Sequence, residues 1–207
     1  MSVVIGLTGQ TGAGKSYVRE MFWEKGAAVI DADSVSHDIT ENNIDCIYDI
    51  VNHFSCAVLN EKGTINRKAL GRRVFSDKKE LLALNRLIFP YIREAIDAEV
   101  ERYKSEGKEA IVIDGATIIE SGCLKICDML VAVTADEEIR RKRIMKRDKI
   151  SEEDAKRRIL AQKPEEFYTE NADFTIENNG SSAEVEHGVN RVLKNLVNIK
   201  EKVSAED

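Results

Sequence analysis

The chain opens on a nearly unbroken apolar run, Ser2-Val3-Val4-Ile5-Gly6-Leu7-Thr8, in which polar and apolar positions do not alternate. Such a run predicts a strand buried on both faces, as in a parallel sheet covered by helices. A glycine-rich loop follows. Beyond it Val18, Met21 and Phe22 recur at helical spacing, which predicts a helix from about Lys15 to Glu24-Lys25, stopped at Gly26. Ala27-Ala28-Val29-Ile30 predicts a second strand, ending in Asp31-Ala32-Asp33.

From Ser34 to Tyr103 the pattern is helical. Ile44, Ile47, Ile50 and Val51 fall on one face, and so do Ala69, Leu70, Val74 and Phe75. Leu81, Leu84, Leu87 and Ile88 carry the pattern to Pro90, and Ile92, Ile96 and Val100 resume it beyond. Asn60-Glu61-Lys62-Gly63 reads as a turn. Strand character returns at Ala110–Asp114 and Met129–Val133. A charged helix follows from about Asp136 to Lys146, then a capping-box start at Ser151-Glu152-Glu153-Asp154. A short strand, Phe174-Thr175-Ile176, precedes an amphipathic helix through Val189, Val192, Leu193 and Leu196. Five buried strands alternating with helices predict an α/β fold, with a five-stranded, mostly parallel sheet flanked by helices.

Composition narrows this picture only a little. With 43% hydrophobic and 33% charged residues the chain can build a full core and a soluble surface. A formal net charge of -6 argues against a nucleic-acid partner, which needs a basic face. Cys46, Cys56, Cys123 and Cys127 lack zinc or redox spacing and read as reduced, small apolar side chains. No run is long enough to span a membrane and no secretory signal is visible, so a cytoplasmic location is expected. Nothing in the pattern speaks to oligomeric state.

The chemistry is concentrated in Gly9-Gln10-Thr11-Gly12-Ala13-Gly14-Lys15-Ser16, which meets the G-x-x-x-x-G-K-[ST] pattern between a buried strand and a helix. Inward-turned backbone N–H groups and the helix end suit triphosphate oxygens. Lys15 places a charge near the β- and γ-phosphates, and the Ser16 hydroxyl can ligate magnesium. Gly9 and Thr11 to Tyr17 are therefore the expected nucleotide-binding residues, with ATP and Mg2+ as cofactors. Asp33, just past the second strand, is the expected general base for an acceptor hydroxyl; capping of the next helix is its plainer role. Asp114 ends an apolar strand and would support the metal through water. Among Arg140, Arg141, Lys142, Arg143, Lys146, Arg147 and Lys149, Arg143 and Arg147 share a helical face. These two are expected to stabilise the transferred phosphoryl group from a mobile lid, with the remainder on the surface.

The ordered set of motifs is similar to the dephospho-CoA kinase family over about Val3 to Leu196. It comprises Gly6 to Ser16, Asp31-Ala32-Asp33, Gly63 to Leu70 with Val74-Phe75, and Glu120-Ser121-Gly122. Cys127-Asp128, Arg143 with Arg147, Arg158-Ile159 with Gln162, and Ala172-Asp173 leading to Asn178 and Gly180 complete it. The resemblance implies ATP-dependent phosphorylation of the ribose 3′-hydroxyl of dephospho-CoA. It implies a P-loop kinase core at 1–33 and 108–200, a lid at about 140–168 and a helical acceptor region at 34–107, while the sequence of the tail at 201–207 is expected to fray. It places the base on Asp33, and Arg67 and Glu120 toward the acceptor. The chain departs from the family pattern at Phe89, at Ala116 to Ile119, at Arg140 and at Tyr168. A kinase for another hydroxyl compound, and an ATP-binding protein without kinase activity, are the alternatives.

Overall fold

The structure is a computed structural model that describes residues 2–196, together with the backbone course of the last helix to Glu206. The tail expected to fray, 201–207, continues the last helix as far as Glu206, and Asp207 lies outside the described residues. The chain forms two compact units, one of residues 1–30 and 100–207 and one of residues 31–99.

The first unit is built on β1 (Val3–Gly9), β2 (Ala28–Asp31), β3 (Ala110–Asp114), β4 (Met129–Thr134) and β5 (Phe174–Glu177), in the sheet order β2-β3-β1-β4-β5. The sheet is all-parallel. Every residue of β1, β3 and β4 is buried, which explains their continuous apolar sequences. The expectation of five buried strands needs correction at the edges. In β5 only Ile176 is buried, and β2 alternates buried and half-buried residues, because each edge strand has a neighbour on one side only.

Helices α1 (Lys15–Glu24) and α9 (Ser182–Glu206) pack together against the sheet. Val18, Met21 and Phe22 of α1 and Val185, Val189 and Val192 of α9 close over Ile5, Leu7, Val112 and Val131. The short helix α8 (Glu165–Thr169) packs on β1 and β4. Helices α6 (Glu137–Asp148) and α7 (Glu152–Leu160) make a hairpin with its own small core of Ile144, Ala155 and Ile159. Ser151 caps α7, accepting from the Asp154 amide at 3.1 Å, while its hydroxyl donates to the Asp154 carboxylate at 2.7 Å. The capping box is thus present in a side-chain-to-side-chain variant.

The second unit is helical, as its pattern predicts. It contains α2 (Ala32–Asn42), α3 (Ile44–Phe54), α4 (Arg67–Ser76) and most of α5 (Lys78–Ser105). Asp31, Asn43 and Asn66 cap α2, α3 and α4 through their side-chain oxygens. The turn at Asn60 closes with the Gly63 amide donating to Asn60 O at 3.0 Å. Two apolar positions differ from expectation. Ile44 is 80% exposed because it is the first residue of α3, and Cys46, Ile50 and Phe54 form the buried stripe instead. Phe75, near the end of α4, is 81% exposed, while Leu70 and Val74 are buried. Pro90 does not divide α5, whose buried stripe Leu84, Ile88, Ile92 and Ile96 passes it at a constant spacing. Among the described residues no helix is long and apolar enough to cross a membrane.

Candidate active site

β1 ends at Gly9, and the chain then turns through the loop into α1. Gly12 and Gly14 adopt φ of 80° and 95°, the left-handed region that glycine enters without strain. Space forbids a side chain as well. A Cβ on Gly14 would stand 2.0 Å from Asn178 Nδ2, and one on Gly12 would stand 2.7 Å from the Arg140 carbonyl oxygen. Gly14 is also the N-cap of α1 and offers no side chain to its first amides. The backbone N–H groups and positive end of this helix are arranged as an anion cradle.

Parallel pairing sets Leu7 opposite both Asp114 and Val131, so the loop leaves the sheet beside the end of β3. Lys15 Nζ forms an ion pair with Asp114 Oδ1, and Arg19 Nη1 reaches Asp114 Oδ2 at 3.3 Å. Asp114 is only 3% exposed, and these two cations offset the cost of burying its charge. Ser16 is exposed at the first turn of α1. The Tyr17 hydroxyl lies 2.5 Å from Ser182 Oγ, on the α9 side of the helix. Among the described residues no cluster of three or more His, Cys, Asp or Glu side chains could hold a metal ion. Two oxygen donors, Ser16 and Asp114, nevertheless fit magnesium, which keeps waters and substrate phosphates as its other ligands.

The outer wall of the loop comes from residues far away in sequence. Asn178, 5% exposed, donates from Nδ2 to Ala13 O at 2.8 Å. Arg143 donates from Nη1 to Gly12 O and Ala13 O at 3.3 and 3.1 Å, and from Nη2 to Asn178 O and Oδ1 at 2.9 and 3.2 Å. Its guanidinium therefore clamps the loop to the end of β5. Gln162 Oε1 accepts from the Thr11 amide at 2.8 Å, and Gln10 Nε2 donates to Lys163 O at 2.9 Å. Arg147 is more exposed. It reaches Thr11 Oγ1 at 3.5 Å while Nε and Nη2 bind the Asp148 carboxylate at 2.8 and 3.0 Å. Arg158 joins the same carboxylate at 2.5 Å. The hydrogen bond from Arg147 holds the Asp148 carboxyl below its usual range.

Arg140 corrects the expectation that the other basic residues of this helix lie on the surface. It is 5% exposed, and its Nε and Nη1 are buried with no hydrogen-bond partner. Tyr168 is buried as well, and burial followed by the Glu120 charge pushes its hydroxyl up, with Arg140 acting in the opposite direction. Glu120 itself is exposed on the loop after β3. In the second unit Asp33 sits, exposed, in the first turn of α2. Arg67 opens α4 and donates from Nη2 to His37 O and Thr40 Oγ1 at 3.2 and 3.0 Å.

Lys15, Ser16, Asp114, Arg143 and Arg147 are thus gathered around one loop. Arg19, Gln10 and the buried state of Arg140 are contributions that the sequence reading did not assign. A run of charge gives no sign of which member points inward.

A glycine cradle between the central strand and first helix of an all-parallel sheet of this order defines a P-loop kinase fold. The dephospho-CoA kinase family model matches residues 3–184. A Bacillus cereus dephospho-CoA kinase is 37% identical over 94% of this chain and 98% of its own length. A solved Thermus thermophilus structure superposes with a TM-score of 0.80 at 31% identity, covering 94% of this chain and 98% of that one. The dephospho-CoA kinase from Campylobacter jejuni gives 0.69 at 29% identity, covering 95% and 98%. The chain belongs to the dephospho-CoA kinase family.

Proposed function

We propose that the protein transfers the γ-phosphoryl group of ATP to the ribose 3′-hydroxyl of dephospho-CoA, giving coenzyme A and ADP. Family membership supports the reaction, and the observation that carries it is the glycine cradle at Gly12 and Gly14 with Lys15 and Asp114 beside it. The first-turn amides of α1 and Lys15 bind the triphosphate oxygens. Lys15 moves between the Asp114 carboxylate and the phosphates. Ser16, and Asp114 through water, would hold magnesium, which would neutralise phosphate charge. Arg143 keeps the loop in shape through Gly12, Ala13 and Asn178, and Arg147 meets the transferred group from beside Thr11. Asp33 accepts the proton of the acceptor hydroxyl as its oxygen attacks the γ-phosphorus and ADP leaves. Arg67 and Glu120 bind the acceptor.

The core is assigned to 1–33 and 108–200, the acceptor region to 34–107, and the lid to about 140–168. The partner is a small molecule, neither nucleic acid nor membrane, and the enzyme works in the cytoplasm.

The test is ADP release with dephospho-CoA and magnesium. Asp33→Asn lowers kcat by about a hundredfold or more, the usual share of a general base, and Lys15→Ala abolishes turnover. Full activity in Asp33→Asn would overturn the base assignment.

A further inference from the structure

The face of α6 turned toward the loop carries three arginines, at 140, 143 and 147, spaced so that they share one helical stripe. Two of them are committed to protein oxygens. Arg143 spends Nη1 and Nη2 on the Gly12, Ala13 and Asn178 oxygens, and Arg147 spends Nε and Nη2 on Asp148. Arg140 is different. Its Cα and Cβ stand 3.0 Å, and its carbonyl oxygen 2.7 Å, from where a Cβ on Gly12 would be. It is the most deeply buried of the three, yet its Nε and Nη1 donate to nothing.

A guanidinium cannot shed its proton to escape this position. A buried charge with empty N–H donors is costly, and apolar residues would fill the same volume at less cost. Nearby oxygens do not relieve it. Tyr168 is buried and accepts no hydrogen bond from Arg140 Nε or Nη1, and Glu120 is exposed. The opposing influences of Glu120 and Arg140 on Tyr168 place Arg140 within electrostatic reach of that ring. A phosphate brought to the loop supplies what is lacking: several anionic oxygens, in a geometry that suits a guanidinium fork.

We propose that Arg140 is a ligand-binding residue of this site, whose Nε and Nη1 groups donate to an anionic oxygen of a bound phosphorylated substrate. The proposal rests on the phosphate-loop reading of the site and is independent of which hydroxyl accepts the phosphoryl group. It also gives the stripe a division of labour. Arg143 shapes the loop, Arg147 stands at its rim beside Asp148 and Thr11 to meet the transferred group, and Arg140 holds a ligand oxygen.

The experiment uses the full chain with Arg140→Met, an apolar replacement of similar length, and Arg140→Lys, which keeps the charge. Melting temperature is measured without ligand. Calorimetric affinities are measured separately for ATP with magnesium and for dephospho-CoA. A ligand-binding role predicts that Arg140→Met melts at the same or a higher temperature and binds one of the two ligands about tenfold to a hundredfold more weakly. Arg140→Lys then recovers part of that affinity. Loss confined to ATP assigns the oxygen to the donor triphosphate, and loss confined to dephospho-CoA assigns it to the acceptor.

A purely structural role predicts the reverse, with a lower melting temperature and unchanged affinities in both variants, and that result overturns the proposal. If Arg140→Met does not fold, Arg140→Lys decides: weaker binding at an unchanged melting temperature supports the proposal, and unchanged binding overturns it. Failure of wild type to turn over dephospho-CoA would refute the acceptor assignment, while the ATP arm would still test Arg140.

Discussion

Gly14→Ala is a sharp test of the loop geometry, because two separate penalties meet at one position. Gly14 has φ of 95°, a region that costs an L-residue about 1–2 kcal/mol. The added Cβ would also lie 2.0 Å from Asn178 Nδ2, much too close for the amide to stay in place. Moving it breaks the 2.8 Å hydrogen bond from Asn178 to Ala13 O, worth about 1 kcal/mol. The expected loss of stability is therefore about 2–3 kcal/mol. Only the first part survives once the Asn178 side chain is gone. In an Asn178→Ala background the same change costs about 1–2 kcal/mol, leaving a coupling of about 1 kcal/mol between the two positions. Urea unfolding of wild type, both single variants and the double variant measures all four values. Strict additivity, or a Gly14→Ala cost below about 0.5 kcal/mol, would refute the packing of Asn178 against the loop.

Other outcomes follow from the hairpin and the thiols. Ser151→Ala removes the cap of α7 and costs about 1 kcal/mol, seen as faster amide exchange across the helix; unchanged exchange would contradict the cap. Burial pushes the Cys127 thiol up to about 12, whereas Cys56 is exposed. A maleimide at pH about 8 should therefore label Cys56 well before Cys127, and equal rates would be inconsistent with that burial. Asp148 is held below its usual range first by the Arg147 hydrogen bond. A depressed carboxyl contributes stability above its unfolded pKa and loses it as pH falls through the folded one. The difference in denaturant midpoint between wild type and Asp148→Asn is then the same at pH about 7 and about 5. It shrinks as pH falls from about 4 toward about 2, and a difference unchanged down to pH about 2 would show that the pair is not formed.

Elements whose sequence and environment agree along the whole element were legible. β1, β3 and β4 are apolar at nearly every position because every position is buried, and the loop pattern between β1 and α1 is local by nature. Position-dependent features were not. Periodicity puts Ile44 on the apolar face of its helix, but a first-turn residue need not face the core. Pro90 reads as a break, yet the buried stripe of α5 on both sides of it holds the helix together despite one lost hydrogen bond. The contacts that shape the loop are beyond any local window. Asn178 meets Ala13 across 165 positions and Gln162 meets Thr11 across 151. Arg140 was hidden in another way, since a basic run looks solvated until the fold buries one of its members.

Whether the donor machinery around Gly12 and Gly14 serves dephospho-CoA as its acceptor is decided by a steady-state acceptor panel. ADP release is measured with ATP and magnesium against dephospho-CoA, several nucleosides and several nucleotides, with the 3′-phosphorylated product identified. Dephospho-CoA is expected to have the highest kcat/KM by a wide margin, and its turnover to be lost in Lys15→Ala. Faster turnover of another hydroxyl compound, or tight ATP binding with no acceptor phosphorylated, would contradict it.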